Sequence, residues 1–393
     1  MRKDLATHLD PATGPKRILS LSGGGVRGLV TLGALERVEE LLQIETGDKS
    51  YRLCDHFDLI AGTSTGSIIA VGLSMGWSVG KIKSLYDELC PVLFRPNRRL
   101  GVMMPRHDAR FLEESLDRYL VEDDGSPLKL GSSKLQTGLL VCAKRIDTDS
   151  AWILTNHPRS KFYNAVPGQS WLPNKDYRLK DIIRASTAAP TYLSPMTIQI
   201  SDGSDGFEPE VGVFVDGAIG GHNCPALAAF QIATLPSYRF NWPTGEDKLS
   251  ILSIGTGQYR QRHESTSFLN RQTIQQGIGA LSGMISESQR NTLLMMQAMS
   301  QPRKPWVLNS EIMGLQNELF TERPLFRFQH HDVMIDNDDL RDRLKLMTMK
   351  GAKIDKIRER MRDMANGRKE NLKWCYLLGV SLGGDIARED LFI

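Results

Sequence analysis

At 393 residues and 44.0 kDa the chain can bury a large core of its own, and a composition of 40% hydrophobic and 24% charged residues excludes a disordered or coiled-coil protein. A formal net charge of +3, with the basic residues scattered, argues against a nucleic-acid polymer as partner. The five cysteines (Cys54, Cys90, Cys142, Cys224, Cys375) are odd in number and form no CxxC pair, so neither a disulfide framework nor a metal site is expected.

The N-terminus, MRKDLATHLDPATGPKR, carries charge where an export signal needs an apolar core, so residues 1–16 are expected to be a tail on a cytoplasmic protein. Arg17–Leu21 then reads as a strand, Gly23–Gly28 as a turn, and Val30–Leu42 as a helix with Leu32, Leu35, Val38 and Leu42 at helical spacing. A second strand, Phe57–Ala61, runs through GTSTG into another helix. The uncharged stretch Leu59–Trp77 is long enough to raise a membrane span, but the polar turn inside it suits a buried strand followed by a buried helix.

This order of strand and helix predicts an α/β fold with a mostly parallel sheet covered on both faces and function at the carboxyl ends of its strands. Helices are expected at Val79–Leu89 and Asp108–Tyr119, and a strand at Leu135–Ala143. A helix at Asp181–Ala188, a strand at Val211–Val215, a helix at Ala226–Thr234 and a strand at Leu249–Ile254 complete a catalytic unit over 17–257. Residues 258–393 read as a helical extension packed on the same domain, with methionine-bearing helices at Gln272–Ser300 and Leu340–Met364. Between the helices expected at Val79–Leu89 and Asp108–Tyr119, Arg95, Arg98 and Arg99 followed by Leu100, Val102, Met103 and Met104 read as a solvated loop with core anchors, with contact to an anionic lipid surface as the alternative.

Two glycine turns carry the chemistry. Gly62-Thr-Ser-Thr-Gly66 is a GxSxG pattern between a strand and a helix, the context in which it forms a nucleophile elbow. Its tight turn exposes the Ser64 hydroxyl, and side chains at Gly62 and Gly66 would collide with neighbouring backbone. Upstream, Gly23-Gly-Gly-Val-Arg-Gly28 lets backbone N–H groups converge on an anion, with Gly24 and Gly25 as donors and Arg27 fixing the loop. The same letters satisfy GxGxxG, but no strand ending in an acidic residue follows the helix to hold a ribose, so a dinucleotide site is disfavoured. The base for Ser64 has two candidates by sequence: a histidine in triad order, of which His330 and His331 stand out beside His107, His157, His222 and His263, or Asp216, delivered by the strand VFV and followed by Gly217.

Taken in order, GGGVRG, GTSTG, the segment Arg184-Ala-Ser-Thr-Ala-Ala-Pro-Thr-Tyr-Leu-Ser194 and VDGAIGGHNCP resemble the motif set of the patatin-like phospholipases over residues 17–257. The resemblance implies a three-layer α/β/α sandwich with a helical C-terminal part. It also implies a Ser64–Asp216 dyad without histidine, an oxyanion loop of Gly23, Gly24, Gly25, Arg27 and Gly28, and hydrolysis of fatty-acyl esters of membrane lipids with no cofactor. The sequence departs from the family pattern at Ser22, often acidic in plant members, and at His222-Asn-Cys-Pro225, where Asn-Asn-Pro is common. The resemblance is closest to bacterial cytosolic members that touch the inner face of the membrane, some of them activated by cyclic nucleotides in antiphage defence. It leaves open such an activator and a homo-oligomer. The alternatives are a triad esterase of the α/β-hydrolase type and a catalytically silent module binding a nucleotide or anionic lipid.

Overall fold

The structure, a computed structural model, describes residues 2–94, 107–206, 208–259, 273–308, 315, 318–346 and 350–392. Arg95, Arg98, Arg99, Leu100, Val102, Met103, Met104 and His263 lie outside them.

The expected N-terminal tail is an ordered part of the fold. Helix α1 (Leu5–Leu9) is capped by the Asp4 carboxylate, which accepts the Thr7 amide at 2.8 Å. It buries His8 and Leu9, with His8 Nδ1 2.8 Å from Asp58 Oδ1. Lys16 is fully buried as well, its ammonium donating to the His8 carbonyl at 2.7 Å and to Thr13 Oγ1 at 2.9 Å. The charges of Lys3, His8 and Lys16 meet partners inside the protein, so this stretch is part of the fold and not a tail.

Strand β1 (Lys16–Leu21) leads through the glycine loop into α2 (Gly28–Thr46), which ends on Gly47 in the left-handed conformation at φ 66°. A single turn, α3 (Leu53–His56), precedes β2 (Leu59–Thr63), α4 (Thr65–Ser74), α5 (Val79–Leu93) and α6 (Arg110–Tyr119). Next come β3 (Gly138–Arg145), β4 (Ser150–Thr155), α7 (Leu179–Ser186), β5 (Met196–Ser201) and β6 (Glu210–Asp216). The chain continues through α8 (Ala226–Thr234), β7 (Leu249–Ile254), α9 (Thr273–Ala298), β8 (Arg327–His331), α10 (Asn337–Arg343), α11 (Gly351–Arg362) and α12 (Lys369–Gly383).

One sheet carries the strands in the order β5-β6-β3-β2-β1-β7-β8, with β4 also paired to β3. From β3 to β8 every neighbour along this path is parallel, whereas β4, β5 and β6 join antiparallel. Alternate residues of the parallel strands face opposite helical layers. Leu19, Leu21, Ile60, Leu139, Val141, Leu252 and Ile254 pack with α2, α4, α5, α7 and α12. Ile18, Leu59, Ala61, Leu140, Cys142, Leu249 and Ile251 pack with α1, α8 and α9. Burial on both faces gives strands that read as nearly continuous apolar runs, and the result is the expected three-layer sandwich.

The sheet does not end at β7. Strand β8 adds to it in parallel, with Ser253 opposite His330, so the C-terminal part supplies a strand as well as helices. RFQHH hides this strand because its histidines are polar letters that bond inside the protein: His330 Nδ1 lies 3.0 Å from Ser253 Oγ, and His331 Nε2 3.1 Å from Asp390 Oδ2. Helix α12 lies against α2 at glycines. A Cβ on Gly379 would stand 2.2 Å from the Val30 carbonyl oxygen, and one on Gly33 would stand 2.6 Å from the Val380 nitrogen.

Strand β3 sets up the site. Its residues 140–145 pair with β4 on one edge. On the other edge it pairs with β2 as far as Thr63 opposite Cys142, and then with β6 from Asp216 opposite Ala143. Strands β2 and β6 therefore meet end to end along one edge of β3, each by its carboxyl terminus. Asp216 reaches the carboxyl edge of the parallel sheet because its own strand runs the opposite way.

Candidate active site

Ser64 stands between β2 and α4 with φ 54° and ψ −129°, a backbone conformation that a residue with a Cβ adopts at a cost of about 1–3 kcal/mol. The flanking glycines have the predicted reason to be glycine. A Cβ on Gly62 would lie 2.3 Å from the Gly66 carbonyl oxygen, and one on Gly66 would lie 2.3 Å from the Leu21 carbonyl oxygen. The turn is braced by Ser67 Oγ, which donates to the Ser64 carbonyl at 2.6 Å, and by Tyr86, whose hydroxyl donates to the Thr65 carbonyl at 2.6 Å.

The Ser64 hydroxyl stands near enough to the Asp216 carboxylate to lower its pKa, both residues being almost wholly buried. Burial pushes the Asp216 carboxyl up to about 6, while the Ser64 hydroxyl and the Ala218 amide, 2.9 Å from Oδ1, pull it down. Gly217 lets the chain turn at once: a Cβ there would sit 2.4 Å from the Cys142 carbonyl oxygen.

The glycine loop lies beside this pair, but its amides differ. Gly23 N–H donates to the Asn223 carbonyl at 3.1 Å and so is already engaged. Gly24 N–H meets Thr65 Oγ1 at 3.2 Å, a long bond that an oxyanion could replace. Gly25, at φ +60°, has no amide partner among the described residues, which makes it the freest donor. Gly28 N–H bonds within its own turn, and a Cβ there would meet the Tyr86 ring at 2.7 Å, so Gly28 serves packing. The Arg27 guanidinium lies 5.6 Å from the Tyr259 ring, and the Arg362 guanidinium 5.0 Å from the same ring.

These residues open on a cavity of about 300 Å³ whose apolar wall includes Ile68, Leu112, Leu193, Ile219, Leu281 and Ile285. Among the described residues no histidine lines it. His330 and His331 lie on β8, two strands beyond β1 from the elbow, and line a separate and larger cavity of about 790 Å³ that holds neither Ser64 nor Asp216. The larger cavity lacks both the strained serine and the glycine loop.

Sequence reasoning missed three residues of this site. The Ser186 hydroxyl accepts the Ser64 amide at 2.9 Å. Thr256 Oγ1 donates to the Gly23 carbonyl at 3.0 Å, and the Met364 carbonyl accepts the Val26 amide at 2.9 Å. Ser186 lies in the segment already noted for its resemblance, and Thr256 in a GTG turn ending a strand, but nothing local marks Met364.

A three-layer α/β sandwich with a strained serine turn between a strand and a helix, and a buried carboxylate near it, has the frame of an α/β hydrolytic fold. A sequence model described as "Patatin-like phospholipase" matches residues 19–230, and the chain belongs to that family. It is 29% identical over 255 residues to "Patatin-17" of Solanum cardiophyllum, covering 61% of this chain and 60% of the relative. It is 30% identical over 266 residues to "Patatin-like protein 2" of Arabidopsis thaliana, covering 62% and 60%. The match thus spans about 60% of the length of these curated relatives. Among solved structures, human GIVD cytosolic phospholipase A2 aligns over 94% of this chain and 58% of its own at 14% identity and a TM-score of 0.41. VipD from Legionella pneumophila aligns over 92% and 67% at 12% identity and a TM-score of 0.37.

Proposed function

We propose that the protein is a lipid acyl hydrolase that cleaves fatty-acyl esters of membrane phospholipids through a Ser64–Asp216 dyad. The observation that carries this reading is the meeting of a strained serine and a buried carboxylate where β2 and β6 abut, beside a glycine loop and under an apolar cavity. Asp216 takes the Ser64 proton as the hydroxyl attacks the ester carbonyl. The oxyanion is held by the Gly25 amide, joined by Gly24 as its contact with Thr65 is released, each such donor contributing on the order of 3 kcal/mol. Asp216 returns the proton to the departing lysolipid. It then deprotonates the water that frees the fatty acid from Ser64.

The acyl chain occupies the apolar cavity, where each buried methylene contributes about 0.8 kcal/mol. No helix of the described residues is long and apolar enough to cross a membrane. The test is lipid mass spectrometry of a membrane extract treated with wild-type, Ser64→Ala or Asp216→Asn protein. Free fatty acid and lysolipid should accumulate with the wild type alone. Equal release by Ser64→Ala would refute the assignment, and a parallel arm with a panel of cyclic oligonucleotides reads whether such a ligand gates turnover. Labelling by a fluorophosphonate that persists in Asp216→Asn and is lost in a histidine variant would favour a triad instead.

A further inference from the structure

The carboxyl end of α7 and the residues just after it touch both members of the proposed dyad. The Ser186 hydroxyl donates to the Cys142 carbonyl at 2.6 Å and accepts the Ser64 amide at 2.9 Å. Two residues on, the Ala188 carbonyl accepts the Asp216 amide at 3.0 Å. Cys142 and Ala143 are the β3 residues at which β2 and β6 respectively stop, so this short segment bridges the junction on which the two reacting groups sit. Ser186 and Ala188 are both fully buried.

The direction of these bonds matters. A serine hydroxyl has one proton, and at Ser186 it points to Cys142, which turns the oxygen's lone pairs towards Ser64. The Ser64 amide lies beyond the last ladder pair of β2 with β3 and begins a residue held at positive φ. Without an acceptor at 186 that amide would be buried and unsatisfied, and the elbow would relax away from its strained conformation.

We propose that Ser186 is a positioning residue for the Ser64–Asp216 pair, holding the backbone of the nucleophile so that its hydroxyl stays on the carboxylate. The inference rests on the reading of Ser64 as nucleophile and Asp216 as base. It differs from a packing role because the hydroxyl, not the volume, is what the elbow uses. It also predicts an electrostatic signature: a Ser64 hydroxyl that drifts from Asp216 no longer draws the carboxyl down, so the acid limb of the activity profile moves to higher pH.

The experiment measures kcat, KM and the pH profile of kcat/KM on a short-chain p-nitrophenyl ester for wild type, Ser186→Ala, Ser186→Thr and Ser186→Val, with thermal melts of each. Thr and Val share a shape and differ in the hydroxyl. Expected is a fall in kcat of roughly 10–100-fold for Ser186→Ala with KM nearly unchanged, an acid limb displaced upward, and substantial recovery in Ser186→Thr that Ser186→Val does not show. Ser186→Ala within twofold of wild type overturns the proposal, as do Thr and Val variants of equal activity, whatever their stability. Turnover that survives Ser64→Ala would remove the underlying reading instead, so the two failures are told apart.

Discussion

Replacing Asp216 by Asn tests the base and its burial together. Burial lifts this carboxyl from 3.8 to about 6. A rise of that size corresponds to about 3 kcal/mol against the ionised form in the fold. Because the folded value is above the unfolded one, the folded state binds more protons between them. The contribution of this group to stability is therefore fully present below pH 3.8 and lost as pH rises through about 6. Roughly half of it, about 1.5 kcal/mol, disappears between pH 5 and pH 8. Asn carries no such charge, so in urea denaturation the variant should gain on the wild type by about that amount across the interval. Turnover of a p-nitrophenyl ester should meanwhile fall by about 10²–10⁴-fold, and the wild-type kcat/KM should lose activity below a midpoint near pH 6. An acid limb near the ordinary carboxylate range, or stabilities of the two proteins that run parallel in pH, would refute both the burial and the base.

Gly66→Ala brings a Cβ to 2.3 Å from the Leu21 carbonyl oxygen, so β1 or the elbow must shift. A loss of about 1–3 kcal/mol in thermal melts, with loss of fluorophosphonate labelling, is expected, and an unchanged melt would contradict the geometry. Ser64→Gly should be more stable than Ser64→Ala by about 1 kcal/mol, because glycine adopts the φ of 54° without strain; differential scanning calorimetry of the two inactive variants decides it. His330→Ala and His331→Ala should each keep labelling within a few-fold. His331→Ala should still lower the unfolding free energy measured in urea by about 1–3 kcal/mol, because it leaves the buried Asp390 carboxylate with Arg303 but without its imidazole.

The parts of the site that local chemistry dictates were legible in the sequence. Gly62, Gly66 and the glycine loop could be read because a strained turn and converging amides require glycine wherever they occur. Helix α8 and strand β7 fall on their predicted bounds because their apolar runs end at clear turn signals. What escaped is long-range. Strand β8 presents histidines that are satisfied by Ser253 and Asp390, residues 77 and 59 positions away. The stretch Leu340–Met364, where basic residues alternate with Leu, Ile and Met, is divided between two elements, α10 and α11, whose apolar residues Leu340, Ile354, Ile357 and Met361 all face the core. The fixing of the glycine loop by Met364 was invisible for the same reason. A backbone carbonyl accepts the Val26 amide and crowds Gly25, where a Cβ would lie 2.1 Å away, and a carbonyl leaves no trace in residue type.

In the proposed dyad, the antiparallel entry of β6 accounts for how a carboxylate would work without an imidazole between it and the serine. In a triad the base is a ring on a flexible side chain, and a third residue is needed to fix its orientation. Asp216 belongs to the last ladder pair of a strand, its amide is held by the Ala188 carbonyl at 3.0 Å, and its Oδ1 is held by the Ala218 amide at 2.9 Å. The backbone thus supplies the orientation that a third side chain would otherwise provide. Burial supplies the other requirement, because an exposed aspartate would be too weak a base at neutral pH, whereas a carboxyl raised to about 6 is ionised there and still accepts a proton readily. Both properties come from one feature, the end-to-end meeting of two strands on the edge of a third, which places the carboxylate deep enough to be destabilised and near enough to the hydroxyl to be used.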